Sequence, residues 1–193
     1  ATAGIRDTRR RLRIGYVSGD FFAHAISYFF EPLLEHHDRS RFEIVCYDRT
    51  PQRDAVSRRL EQKADGWRCV HGEDWDRLAD RIRGDAIDIL VDLKGHFDDN
   101  SLPLFARKPA PLQATWLGYP DTTGLRAMDA WLSDDEILAG SSAQYASERA
   151  VSLGRFFMCF RPAAGAPEVT ALPASRKGYV TFGCFNSYSK VSP

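Results

Sequence analysis

An open α/β domain with a mainly parallel sheet is what this sequence predicts, on three observations. Short apolar runs alternate with segments of helical period from residue 12 to about residue 117. One run, Ile87–Leu93, is almost continuously apolar, as in a strand covered on both faces. The strand–helix–strand order implies right-handed crossovers.

The elements follow in order. Leu12–Ser18 is a strand closed by the turn Gly19-Asp20. Ala25–His37 reads as a helix through Ile26, Phe29, Phe30, Leu33 and Leu34, with Pro32 as a point of kinking or restart. Phe42–Tyr47 is rich in β-formers. Arg53–Ala64 is a charged helix with Val56 and Leu60 on one face, and Trp67–Val70 a short strand. In Glu73–Arg83, Trp75, Leu78, Ala79 and Ile82 fall at i, i+3, i+4 and i+7, and Gly84 marks the stop. After Ile87–Leu93 come a helical turn at Leu102–Phe105, a Pro109/Pro111 corner, a strand at Leu112–Leu117 and the turn-rich loop Gly118–Gly124. Beyond Met128 the pattern weakens. Pro162–Lys177 reads as a linker or surface loop, and Tyr179–Phe185 as one more strand. Ser192-Pro193 is an N-cap and N1 start signal, so the C-terminal segment reads as the opening of a second α/β domain in a truncated chain.

The chain has 193 residues, 44% of them hydrophobic and 27% charged, enough for a real core. Lys+Arg and Asp+Glu are equal at 26, a balance that argues against nucleic acid or an anionic membrane as partner. The run Arg9-Arg10-Arg11 with Arg13 reads as a solvated lead-in to the first strand. Cys46, Cys69, Cys159 and Cys184 lack metal-site spacing, and three lie in apolar runs, which fits a reducing, cytoplasmic setting. There is neither an apolar signal-peptide core nor a stretch of membrane-spanning length.

No glycine-rich phosphate loop is present, which disfavours dinucleotide and P-loop chemistry. Asp74-Trp75-Asp76 has the D-x-D form of a divalent-metal site. It falls in the first turn of a helix, where carboxylates offset the dipole, and no metal is expected. His24 and His96 follow strand ends, where open α/β sheets bind ligands, and either imidazole can take a proton near neutral pH. Placement alone leaves a structural capping role open for both. Lys190 follows the last predicted strand, where a lysine pairs with phosphate or simply faces solvent.

Several stretches together carry a resemblance. They are Arg13–Asp20 with His24 and Ser27-Tyr28-Phe29, Arg41-Phe42-Glu43, and Ile87–Leu93 with Gly95-His96. They continue with Phe105–Gln113, Trp116–Pro120, Thr122-Thr123-Gly124, and Phe182–Asn186 with Lys190. In these the chain resembles the N-terminal half of the catalytic region of the O-GlcNAc transferase family, which includes the Spindly-type protein O-fucosyltransferases. The resemblance implies a Rossmann-like, doubly wound lobe of a GT-B glycosyltransferase. It implies metal-independent, inverting transfer of GlcNAc from UDP-GlcNAc to Ser/Thr hydroxyls of proteins, without a cofactor. The alternatives are fucose from GDP-fucose and a non-catalytic protein-binding lobe.

By the same resemblance His24 is the general base, and Lys190 faces the donor diphosphate with Ser187 and Asn186 beside the nucleotide. Ser27, His96, Tyr119, Pro120, Thr122 and Thr123 line the acceptor side. Phe97 stands where the family usually has Thr, Asp121 where it has Gly or Asn, and Ser187 where O-GlcNAc transferases often have Gln. The implied division is a lead-in at 1–11, the N-terminal lobe at 12–161, a linker at 162–177 and the start of the C-terminal lobe at 178–193. The implied partners are a protein acceptor, a nucleotide sugar, the C-terminal lobe and preceding tetratricopeptide repeats. The isolated lobe is expected not to turn over, because half a cleft lacks both orientation and charge stabilisation.

Overall fold

The computed structural model describes residues 10–140, 142–162 and 165–185, in two compact units, Ala1–Arg161 and Pro162–Pro193. The first holds seven strands: β1 (Leu12–Ser18), β2 (Phe42–Asp48), β3 (Gly66–Cys69), β4 (Ile89–Asp92), β5 (Leu112–Thr115), β6 (Ala130–Ser133) and β7 (Arg149–Ser152). They form one sheet of order β3-β2-β1-β4-β5-β6-β7. Every pair is parallel, as the alternating pattern predicts. The helices are α1 (Ala25–His36), α2 (Ala55–Glu61), α3 (Trp75–Gly84), α4 (Leu102–Ala106) and α5 (Asp135–Gly140), with a 3-10 turn at Ser142–Tyr145.

The continuous apolar runs arise because both sheet faces are covered. In β1, Ile14 and Tyr16 enter one core and Val17 the other. In β2, Ile44 and Cys46 oppose Val45 and Tyr47 in the same way, and in β4 Val91 opposes Leu90. The period-two pleat therefore sends apolar groups to each side. Phe30 and Leu34 of α1 close the first core, and Leu78 and Ile82 of α3 with Leu104 and Phe105 of α4 close the second. The order reverses between β1 and β4, since β2 and β3 lie on one side of β1 and β4 to β7 on the other. The connections leaving β1 and β4 therefore diverge, opening a crevice at the carboxyl ends of these strands.

Local signals set most helix ends. Asp54 caps α2 in a reciprocal capping box with Ser57. Asp74 caps α3 by accepting from the amides of Asp76 and Arg77. Asp76 pairs with Arg107, so both carboxylates of the D-x-D stretch have structural work. The first helix runs through Pro32 without restarting. Gly84 is the last residue of α3 rather than its stop, and the left-handed position is Ala86 at φ 53°. Two members of the arginine run are engaged rather than free in solvent: Arg10 grips Asp88 with both guanidinium ends at 2.8 and 2.9 Å, and Arg13 pairs with Glu43 at 2.9 Å, while Arg11 is exposed and Arg9 lies outside the described residues. These cations neutralise one carboxylate on β2 and one directly before β4.

Two strands escaped the sequence reading. β6 is four residues long with alternate positions buried, and β7 is a half-exposed edge. The second unit contains one described helix, α6 (Pro173–Lys177), within the segment read as a linker. Gly178, at φ 76°, ends it in the left-handed region. The strand expected at 179–185 does not form, and Phe182 and Phe185 are fully exposed. β-propensity expresses itself only against a neighbouring strand, and among the described residues this segment has none.

A carboxylate cluster binds α1 to α2. Glu31, itself buried, accepts from Arg59 at 2.6 and 2.9 Å and from Lys63. Glu35 pairs with Lys63 and, at 2.6 Å, with Arg161. The Arg59 contact chiefly holds Glu31 below the ordinary carboxyl range, and Arg161 chiefly holds Glu35 at about 2. Both folded values lie below the unfolded ones, so this stabilisation is present above the unfolded carboxyl pKa and lost as pH falls through the folded values. Thermal melts should therefore show the midpoint falling as pH drops from about 5 toward about 2. Replacing both residues (E31Q with E35Q) should flatten that limb. Because the partners of Glu31 are partly solvated, E31Q alone should cost about 1–2 kcal/mol at neutral pH.

Candidate active site

A cavity of about 260 Å³ lies in the crevice, lined by Asp20, His24, Ile26, Leu93, Lys94, Phe97, Asp98 and Gly118. The loops after β1, β4 and β5 supply all of these but Ile26, which lies in the first turn of α1.

The first loop is held from below. The Ser18 hydroxyl accepts from the Asp20 amide at 3.0 Å, and the buried Ser27 donates to the Asp20 carbonyl at 3.1 Å. His24 is the N-cap of α1, and its Nδ1 accepts from the Ile26 amide at 3.3 Å. With Nδ1 occupied as an acceptor, the neutral ring carries its proton on Nε2. To take a proton at Nε2 the ring must adopt the other tautomer and release the cap. A neutral hydrogen bond has a net worth of about 1 kcal/mol. A general base contributes on the order of 10²–10⁴ in rate, so the cap does not bar His24 from that work.

The second loop turns on Asp92, which is fully buried and accepts from the Gly95 amide at 2.7 Å, the Lys94 amide at 3.3 Å and the Thr115 hydroxyl at 3.1 Å. Burial pushes its pKa up, against the pull of these donors. The turn delivers Lys94 to Asp20 at 3.2 Å, an ion pair with both side chains largely buried. Arg49 holds the far part of the loop. Its guanidinium donates to the Asp99 and Asn100 carbonyls and the Ser101 hydroxyl, pairs with Asp99 at 3.2 Å, and lies 4.2 Å from the Trp75 ring centroid.

The third loop packs on the second without room for a Cβ. A methyl on Gly118 would stand 2.4 Å from the Leu93 carbonyl, and one on Gly95, at φ 61°, 2.3 Å from Tyr119 Cβ. Tyr119 meets His96 and Phe97 edge to face at 5.3 and 5.7 Å between centroids. His96 Nε2 donates to the Thr123 carbonyl at 2.9 Å. The buried Glu148 accepts from the Thr123 amide, the Thr122 hydroxyl and the Ser147 hydroxyl at 2.6, 2.8 and 2.6 Å. Burial alone would raise the Glu148 pKa, and these donors outweigh it and hold the group ionised.

The expected residues thus divide. His24 lines the cavity, while His96 and Tyr119 stand on the adjoining loops and Pro120 is exposed beside them. Ser27 and Thr123 are buried, Ser27 bracing the loop after β1 and the Thr123 amide held by Glu148, and the Thr122 hydroxyl is committed to Glu148. Asn186, Ser187 and Lys190 lie outside the described residues. Sequence reasoning missed the Lys94–Asp20 pair and the anchors Arg49 and Glu148. The position of Lys94, directly after a buried strand, was the available signal; nothing in the sequence singles out Glu148. Among the described residues no group of three or more His, Cys, Asp or Glu side chains gathers to hold a metal ion, and no helix is long and apolar enough to cross a membrane.

Comparison with known proteins agrees with this geometry. The family model described as Glycosyl transferase family 41 matches residues 2–160. A relative from Arabidopsis thaliana, named probable UDP-N-acetylglucosamine–peptide N-acetylglucosaminyltransferase SPINDLY, is 39% identical over 193 residues, 98% of this chain and 21% of its own length. The protein of that name from Hordeum vulgare is 41% identical over 188 residues, 95% of this chain and 20% of its own. The solved structure of the K341M mutant of Thermobaculum terrenum O-GlcNAc transferase superposes with a TM-score of 0.89 at 42% identity, over 97% of this chain and 35% of that one. The chain spans about a fifth of the length of the curated relatives it matches.

The Glu148 anchor gives a direct test. In E148A the Thr123 amide loses its partner in a buried place, which should cost about 2 kcal/mol. Hydrogen exchange at the amides of residues 122–124 should rise, while protection in β1 and β4 stays unchanged.

Proposed function

Because the chain belongs to glycosyl transferase family 41, we propose that it forms the acceptor-side lobe of a protein O-glycosyltransferase that uses UDP-GlcNAc. The observation that carries the reading is His24 at the cavity where β1 and β4 part, opposite the buried Lys94–Asp20 pair. The SPINDLY relatives, named as probable UDP-N-acetylglucosamine–peptide N-acetylglucosaminyltransferases, support a UDP-GlcNAc donor and a peptide acceptor. The chain has the α/β architecture of one GT-B lobe.

In this reading a Ser or Thr hydroxyl oxygen attacks the anomeric carbon of the sugar. The bond from that carbon to the diphosphate oxygen breaks, the electron pair leaves with UDP, and configuration inverts. The hydroxyl proton passes to His24 Nε2 once the ring has shifted tautomer. Lys190 is assigned the charge growing on the departing diphosphate, a task a cation performs without a metal.

Two measurements test this, both on the protein that carries this chain at the length of its relatives. Calorimetric titration with UDP, UDP-GlcNAc, GDP and GDP-fucose, in the presence of a chelator, should show UDP-type binding. GDP-type binding would reassign the donor to fucose, and no binding would leave a non-catalytic lobe. The second measurement separates the two duties of His24. Asparagine is a favoured N-cap, so H24N should keep α1 capped and the melting temperature near wild type. Its turnover should fall about 100-fold or more, with donor affinity unchanged. Wild-type turnover in H24N would remove His24 from the proton transfer.

A further inference from the structure

The cavity has one wall that this mechanism leaves unused. Phe97 and Asp98 are adjacent on the loop after β4, and both line the cavity. Phe97 is 51% exposed, and its ring is braced edge to face by Tyr119 at 5.7 Å. Asp20 and Lys94, which also line the cavity, pair with each other, and Asp99, the next residue along the loop, pairs with Arg49. Asp98 has no hydrogen-bond or ion-pair partner among the described residues, and so is the one unmatched carboxylate of the cavity lining.

An open aromatic face beside an unpaired carboxylate is complementary to a side chain with an apolar stem and a cationic head. The stem covers the ring, the cation is attracted to the ring face, and the charge meets the carboxylate. We propose that Phe97 and Asp98 form a specificity subsite for an arginine or lysine close to the modified Ser or Thr of the protein acceptor. The proposal rests on reading the cavity as the acceptor site. The cation suits this wall better than an acidic residue, which Asp98 would repel, or a purely apolar one, which would leave Asp98 unmatched.

The test is a set of fluorescein-labelled peptides with one serine, identical except for Arg, Gln, Leu or Glu flanking it. Binding is read by anisotropy and transfer by kcat/KM, again on the protein at its relatives' length. The Arg peptide should bind about five-fold more tightly than the Gln peptide. The preference should weaken with added salt. In D98N the Arg-to-Gln ratio should fall to about one, and in F97A to an intermediate value. Each ratio is internal to one variant, so partial loss of folded protein cancels. An equal affinity for Arg and Gln in the wild type, an unchanged ratio in D98N, a preference for Leu over Arg, or no peptide binding at all would overturn the subsite. If the Arg preference is found but no sugar is transferred with any peptide, the subsite stands and the transferase reading falls. If transfer proceeds without the preference, the reverse holds.

Discussion

The buried carboxylate of Asp92 is the constraint on which the cavity depends. It sits at the last residue of β4, with no solvent contact, and is tolerated because two backbone amides and the Thr115 hydroxyl point at it. Removing a carboxylate from water is expensive unless its lone pairs are used. Here the same bonds that stabilise the carboxylate also turn the chain. They bend residues 93–95 back over the sheet, tie β4 to β5, and swing Lys94 toward the end of β1. A side chain that could not accept from both amides would leave the turn without its template, and Lys94 without its route to Asp20.

Outward from Asp92, the walls are held by charged residues that never touch the cavity. Arg49 reaches the β4–α4 loop from the end of β2, and Glu148 reaches the β5–β6 loop from the start of β7. The anchors come from opposite sides of the strand-order reversal. Arg49 ties the β4–α4 loop across the reversal to the β2 side of the sheet, and Glu148 ties the β5–β6 loop to the β7 side. The crevice is therefore a feature of the topology, kept at fixed width by two buried polar ties and by the backbone contact at Gly118, where no side chain fits.

Much of the architecture was legible in the amino-acid pattern, and the exceptions have physical causes. β1, β2 and β4 announce themselves because both their faces are buried, which forces continuous apolar runs. β6 and β7 do not: Ala130–Ser133 is four residues long, and Arg149–Ser152 is an edge that solvent partly covers. The segment 179–185 carries the right residue types for a strand and stays unpaired, because propensity is not a partner. At the site, His24 was legible from its place after a strand. Ser27 and Thr123 are buried against neighbouring loop groups, and a polar residue on a helix or in a loop looks the same in sequence whether it meets a ligand or the loop behind it. The arginine run misled for a similar reason: its charges suggested solvent, while Asp88 and Glu43, distant in sequence, wait beside β1.

Phe97 and Asp98 hold nothing up. The ties of their loop run through Asp92, Gly95, Arg49 and Ser101, and neither residue is part of the buried core. Exchanges at these two positions leave those ties intact, whereas an exchange at Asp92, Gly95 or Ser101 does not. A changed side chain at this wall therefore alters what the cavity presents while the anchors that shape the cavity stay in place.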